Sequence, residues 1–186
     1  VNWQNDAEEI KKYAVVRNDG KHWSRYIQNL EFLFREGVTW SDVTSGSLSG
    51  RYLPPGFISD VSGHSAYFDD LNLKVGLSVL NSSFTQGIAK VLNPTIHFQA
   101  GNYRTIPYVN RHNTMEVNSI VSRAVSLSKI DWDCLETSWD FVSFAFIDLN
   151  LKKFSVSQSW AAWAECSDQR ITALKALEEE NNQLFV

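Results

Sequence analysis

The chain has 186 residues and a net charge of −4, and 44% of its residues are hydrophobic. This composition is typical of a globular domain with a packed core and excludes a disordered chain. The negative charge argues against a nucleic-acid-binding surface, which is usually basic. However, the acidic excess lies in residues 112–186, with 6 Lys/Arg against 11 Asp/Glu, whereas residues 1–111 hold 11 against 10.

The two cysteines, Cys134 and Cys166, are far apart, with no CxxC motif and no histidine at metal-ligand spacing. We therefore expect a reducing, cytoplasmic compartment and no metal site. Residues 75–89 are too few and too polar to span a bilayer, and no signal peptide is recognisable, so no membrane partner is expected. Because the chain starts at Val1 and its only methionine is Met115, we expect a fragment of a longer protein.

In chain order, acidic residues ahead of lysines predict a first helix over residues 6–14. Helical spacing over 71–80 and 84–91 predicts two further helices, which end before Pro94. Short apolar runs between Gly, Ser and Pro predict strands. The predicted strands cover residues 38–40, 50–53, 57–58, 66–68, 96, 98 and 106–109. We expect Trp40 to lie in the core rather than to form a stacking platform, because a tryptophan in a strand usually buries its large area.

The second part of the chain is helical in pattern. Asn113 with Glu116 resembles a capping box, and apolar residues follow at helical spacing from 117 to 127. Ser155 with Gln158 is a second helix start, and no Gly or Pro follows it. The resulting long helix has a broken apolar stripe typical of helix packing or of a spacer. Strand patterns in the first part and helix patterns in the second indicate an α+β fold with a helical C-terminal segment.

Candidate catalytic groups are scattered. Asp60, Ser62 and His64 lie close in sequence, but their spacing around a glycine is that of a strand face running into a turn. Asp131 and Asp133 are interpreted as surface acids. No nucleophile and base are placed together, so a stand-alone hydrolase has little support and we predict no catalytic, cofactor-binding or metal-binding residue in this chain.

Several short sequence segments are informative when taken together in their order along the chain. They are Val1-Asn2-Trp3, Glu36-Gly37-Val38-Thr39-Trp40-Ser41, Ser45-Gly46, Arg51-Tyr52, Gly56-Phe57-Ile58, Asn93-Pro94-Thr95-Ile96-His97-Phe98-Gln99, Asp131-Trp132-Asp133 and Glu136-Thr137-Ser138-Trp139-Asp140-Phe141. In this order they resemble the C-terminal region of PglX-type adenine-specific DNA methyltransferases of BREX phage-defence systems. The resemblance covers most of the chain.

The resemblance implies a TaqI-like target-recognition domain over 1–111, incomplete at its N-terminus, and a helical spacer or docking segment over 112–186. Such a recognition domain has a twisted, mostly antiparallel sheet with flanking helices. It implies that this fragment recognises double-stranded DNA and is not itself catalytic. An upstream domain would use S-adenosyl-L-methionine to methylate adenine at N6 in a restriction-modification type system. Consistently, the chain lacks an Asn/Asp-Pro-Pro-aromatic motif and a glycine-rich strand end. The nearest string, at Asn93-Pro94, is interpreted as a helix-ending turn.

Turns at 40–52 and 97–104 are the predicted DNA-facing surface. Arginine and glutamine can form bidentate hydrogen bonds to base edges, and polar or aromatic neighbours contact the backbone. The candidate DNA-binding residues are Ser45, Arg51, Tyr52, Lys74, Gln99, Tyr103 and Arg104. For Arg51 a surface ion pair with Asp42 or Asp60 is an equal alternative, and Tyr103 and Arg104 are expected at the start of a strand.

A different function is also compatible with the sequence. The acidic balance of residues 112–186 and the tryptophans near the start of the last helix are typical of a docking surface. The alternative hypothesis is a protein-interaction module that binds other phage-defence subunits through this helical acidic tail.

Overall fold

The computed structural model describes residues 2–68, 73–107, 114–144, 147 and 153–185. Its helices are α1 (Gln4–Arg17), α2 (Leu73–Leu80), α3 (Ser83–Leu92), α4 (Ala100–Arg104), α5 (Thr114–Trp132) and α6 (Val156–Gln183). Its strands are β1 (Gly37–Ser41), β2 (Arg51–Leu53) and β3 (Gly63–Ala66). The predicted α+β class with a helical C-terminal segment is confirmed.

The three strands form one antiparallel sheet in the order β2-β1-β3. Val38 of β1 lies opposite Tyr52 and Ala66, and Thr39 lies opposite Arg51 and Ser65. Because side chains alternate along a strand, these two rows point to opposite faces of the sheet. One face is therefore apolar and the other is polar.

Trp40 anchors the apolar face, as the sequence predicts. Its side chain is completely buried, and its Nε1 donates a hydrogen bond of 2.7 Å to the backbone oxygen of Phe98. The ring of Tyr103 stacks on it with 4.9 Å between centroids. This pairing satisfies the only polar atom of the indole, so Trp40 contributes its full area to the core.

Helices α2, α5 and α6 lie behind the apolar face. Helix α2 packs on β1 and on α5, and α5 packs on α6. Ser78 of α2 donates to Asn181 Oδ1 of α6 at 2.5 Å, and Asn181 Nδ2 donates to the Ser78 backbone oxygen at 3.1 Å. The core thus contains residues from both sides of position 111, such as Val38 and Val117. The division into domains at 111/112 stays a prediction.

The helix signals correspond to observed helices. The first helix is longer than predicted, and Asn5 has a left-handed backbone conformation with φ of 51°. The Ser155 side chain accepts a hydrogen bond from the Gln158 N–H at the start of α6, which confirms that start signal. The other signal residue, Asn113, lies outside the described residues. Along α6, Arg170 is partly buried, whereas Ile171 is 49% exposed.

Several predicted strands are wrong. Residues 57–58 and 96 are not in strands, and 106–107 follow helix α4. The third strand covers 63–66 rather than 66–68, while 108–109 lie outside the described residues. A short apolar run is compatible both with a strand and with a loop that packs on a core. Residue Phe98 is buried and lies in such a loop.

The expected strand at Tyr103 and Arg104 is also wrong, because both residues belong to α4. The Asn102 side chain accepts a hydrogen bond from the Gln99 backbone N–H at 2.8 Å, which stabilises the first turn of this helix.

Candidate functional site

Three loops meet at one end of the sheet, around Asp42. The Asp42 N–H donates to the Ser62 backbone oxygen at 3.0 Å, and the Phe98 N–H donates to the Asp42 backbone oxygen at 2.7 Å. A single β-bridge joins Val43 to His97. The segments 40–52 and 97–104, predicted from the sequence to share a surface, are therefore in direct contact.

The Asp42 carboxylate lies between two histidines. Its Oδ1 is 3.3 Å from His64 Nε2, and its Oδ2 is 2.9 Å from His97 Nδ1. The hydrogen bond to His97 is the main reason that the pKa of Asp42 lies below its ordinary value. Asp42 and His64 have 17% and 20% of their side chains exposed, whereas His97 has 54% exposed.

This cluster is absent from the sequence-based site. Asp42 is 22 residues from His64 and 55 residues from His97, so no local spacing signals it. Only the pairing of β1 with β3 and the bridge at Val43 bring the three side chains together.

Neighbouring polar residues form the turns, as predicted. Asp60 Oδ1 accepts hydrogen bonds from the backbone N–H groups of Ser62 and Gly63, at 2.9 and 3.2 Å. Asn93 follows α3, and its Oδ1 accepts from the Thr95 N–H at 3.3 Å. Both are turn-forming contacts of the Asx type, and the interpretation of Asn93-Pro94 as a helix-ending turn is confirmed.

Arg51 lies on the polar face of the sheet. It is exposed, and its Nη2 donates to Ser41 Oγ at 3.0 Å. Within the described residues it forms no ion pair with Asp42 or Asp60, so neither suggested ion pair is present. The same face carries Ser65, whose hydroxyl is 2.6 Å from that of Ser59.

Three more predicted residues are exposed. Ser45 lies in the loop after β1, Gln99 immediately precedes α4, and Arg104 is in the last turn of α4. In the part of the chain that the structure describes, the side chains of Ser45 and Arg104 make no hydrogen bond or ion pair. They are available to a partner.

The other three predicted residues make internal contacts. The hydroxyl of Tyr52 donates to Glu36 Oε2 at 2.6 Å, and this hydrogen bond raises the pKa of Tyr52 to about 12. Lys74 Nζ donates to Ser122 Oγ at 2.8 Å and so links α2 to α5. Burial raises the pKa of Tyr103 to about 12.

The remaining candidates show ordinary structural roles. Asp133 pairs with Lys129 at 2.8 Å, and Asp131 lies 3.7 Å from Arg170. Among the described residues, no group of three His, Cys, Asp or Glu side chains could hold a metal ion. No described helix is long and apolar enough to cross a membrane.

No protein-family model matches the chain. It is 32% identical over 190 residues to the adenine-specific methyltransferase PglX of Lacticaseibacillus casei (strain Zhang). It is 28% identical over 188 residues to the adenine-specific methyltransferase BrxX of Escherichia coli O9:H4 (strain HS). Both matches cover 100% of this chain but only 16% and 14% of the relatives. The resemblance to PglX-type proteins is thus confirmed along the whole chain.

Proposed function

We propose that this chain is the part of an adenine-specific DNA methyltransferase that recognises the target sequence in double-stranded DNA. The observation that carries the proposal is the meeting of loops 42–50 and 93–99 at one end of the sheet. Most side chains in these loops are exposed, whereas Leu48 and Phe98 are buried in the core. The similarity to PglX and BrxX supports DNA as the ligand.

Four side chains are the proposed DNA contacts. Arg51 and Arg104 supply cations, and Ser45 and Gln99 supply hydrogen-bonding groups. All four are exposed, so binding DNA would not require the core to open. A bidentate arginine or glutamine contact to a base contributes about 1 to 3 kcal/mol of discrimination. Tyr52, Lys74 and Tyr103 are assigned supporting roles, because their polar atoms are bonded or buried within the fold.

Methyl transfer is assigned to another part of the protein. A nucleotide-like cofactor usually binds at the carboxyl ends of parallel strands that lead into glycine-rich turns. The described strands are all antiparallel, and the loop after β1 joins two of them. These residues do not fit S-adenosyl-L-methionine, so the proposal assigns its binding outside this chain.

The test uses the full-length methyltransferase that contains this chain, with Arg51→Ala or Arg104→Ala. Methylated sites are mapped across the genome of an expressing cell. A lost base contact relaxes the recognised sequence at one position. A lost phosphate contact lowers methylation at all sites, and it reduces the slope of log affinity against log salt concentration (the salt slope) by about one.

Arg123→Ala is the matched control, because Arg123 is an exposed arginine of α5 that pairs with Glu180. This variant should keep the wild-type methylation pattern. If Arg51→Ala and Arg104→Ala also keep both the recognised sequence and the methylation level, the assignment of these residues is wrong.

A second candidate function is docking to a protein partner through the region around the start of α6. Phe154 and Trp160 are more than half exposed there, and Trp139, whose ring lies 6.1 Å from that of Phe57, is exposed as well. Exposed aromatic side chains are enriched at protein interfaces. Helix α6 also carries five acidic and two basic residues, which favours a basic partner.

Deleting the helices would not test this candidate, because Val117 and Leu177 are buried. Trp139→Ala with Trp160→Ala is the better variant, since both side chains are exposed. Loss of co-purifying phage-defence subunits with unchanged DNA methylation would support docking. Full recovery of the partners would exclude this surface.

A further inference from the structure

His97 differs from the other residues of the site because it is both fixed and accessible. Its Nδ1 lies 2.9 Å from Asp42 Oδ2, and 54% of its side chain is exposed. Its Nε2 makes no hydrogen bond within the described residues. A carboxylate bonded to one imidazole nitrogen orients the ring and leaves the other nitrogen for a partner.

Asp42 is a rigid support for this ring. Its backbone N–H and C=O are bonded to Ser62 and Phe98, and both carboxylate oxygens are bonded to histidines. A side chain held at every polar atom loses little freedom when a ligand binds. The geometry is therefore prepared before any partner arrives.

The charge of the three side chains depends strongly on pH. With both imidazoles protonated, two positive charges and one carboxylate add to +1. With both neutral, only the carboxylate remains and the sum is −1. Each protonation of an imidazole therefore makes this part of the loop surface more favourable for an anion.

Charged groups on the neighbouring elements do not replace this effect. His64 on β3 shares the Asp42 carboxylate. Asp60, before β3, is bonded to two backbone N–H groups, and Arg51 on β2 is bonded to Ser41. Arg104 on α4 is a cation at all these pH values.

We infer that His97 contacts a DNA phosphate through Nε2, with Asp42 as its positioning residue, so that DNA binds more tightly when the ring is protonated. The inference rests on the proposed target-recognition function and adds a phosphodiester contact to it. A protonated imidazole donates a charge-assisted hydrogen bond to a phosphate oxygen, and the neutral ring makes a weaker one. A phosphate contact does not read bases, so the recognised sequence should not depend on His97.

The experiment measures binding of a fluorescent duplex to the full-length protein at pH 6 and pH 8, over a range of salt concentrations. The duplex carries the methylation site of the wild-type enzyme, and a scrambled duplex is measured in parallel. For wild type, the salt slope should be larger at pH 6 than at pH 8 by about one, the value for one phosphate contact. In His97→Gln most of this difference should disappear, because only the largely buried His64 is left in the cluster, and affinity should be about tenfold lower at pH 6 for both duplexes.

Three further variants make the result independent of one substitution. His22→Gln is the matched control, because His22 is exposed and is bonded to Ser24 far from the loops. It should keep the wild-type pH dependence. His97→Lys carries a cation at both pH values and should bind at pH 8 about as tightly as wild type at pH 6. Asp42→Asn, which removes the carboxylate that orients the ring, should reduce the difference in salt slope between pH 6 and pH 8.

The outcomes separate this inference from the proposed function. If wild type and His97→Gln both bind the specific duplex and show the same pH and salt dependence, the His97 contact is overturned. Target recognition is then left intact. A changed methylation sequence in His97→Gln overturns the phosphate assignment in favour of a base contact. If wild type does not distinguish the two duplexes at any pH, the proposed function fails, and the inference fails with it.

Discussion

The two faces of strand β1 have opposite properties although they alternate within five residues. Val38 and Trp40 are completely buried against helices, whereas Thr39 and Ser41 lie on the polar face with Arg51. The apolar face determines stability, because burial of large side chains is the main source of folding free energy. The polar face contributes little to the core, whereas the adjoining loops contribute Leu48 and Phe98 to it. Substitutions on the two faces of β1 should therefore differ in their effect on stability.

The largest expected effect is that of Trp40→Ala. This change removes a fully buried indole and its hydrogen bond to Phe98, so we expect the free energy of unfolding to fall by about 3 to 5 kcal/mol. Urea denaturation followed by circular dichroism measures it. Thr39→Ala, on the opposite face, should cost about 1 kcal/mol for its hydrogen bond to the His64 backbone. Equal losses in the two variants would contradict the comparison.

The next effect concerns the attachment of α6 behind the apolar face. Asn181→Ala leaves the hydroxyl and backbone oxygen of Ser78 without their partner, and we expect a loss of about 1 to 3 kcal/mol. Thermal denaturation provides the measurement. Gln183→Ala is the control, since Gln183 is exposed and bonded only to Glu179. If Asn181→Ala has the same melting temperature as the control, this contact does not hold α6 to α2.

A smaller effect is expected at alkaline pH. The pKa of Tyr103 is raised from 10.0 to about 12 by burial, so the folded state holds this proton more tightly than the unfolded state. Its stabilising contribution is complete below pH 10 and is lost as pH rises through about 12. Tyr103→Phe keeps the ring on Trp40 but should show a shallower fall of melting temperature between pH 10 and 12. An unchanged slope would mean that the phenol is not buried in solution.

The smallest effect on stability is expected for Arg51→Ala on the polar face. Arg51 is exposed and bonded only to Ser41, so the free energy of unfolding should change by less than about 0.5 kcal/mol. Duplex DNA affinity of the same variant should fall. A variant that loses stability but binds DNA normally would show that the polar face supports the fold rather than recognition.

Local signals account for the elements that the sequence predicts correctly. Apolar residues at helical spacing identify α2, α3 and α5, and the side chain of Ser155 caps α6 as its spacing to Gln158 indicates. Such signals act within a few residues and need no knowledge of the fold. The strand prediction at 96 fails because this segment forms only an isolated β-bridge and a few backbone hydrogen bonds with the loop after β1. That loop lies about 50 residues away along the chain, so no local sequence pattern indicates the contact.

The difference between local signals and long-range contacts also holds for the candidate site. The sequence alone indicated that Trp40 belongs to the core, that Ser45 and Gln99 are exposed, and that the chain resembles PglX-type proteins. Only the tertiary structure decided that Lys74 and Tyr103 make internal contacts and that Asp42 joins two distant histidines. The physical reason is the distance along the chain over which each interaction acts. Burial and turn formation depend on residue type and near neighbours, whereas a hydrogen-bonded cluster depends on strand register and loop pairing across 55 residues.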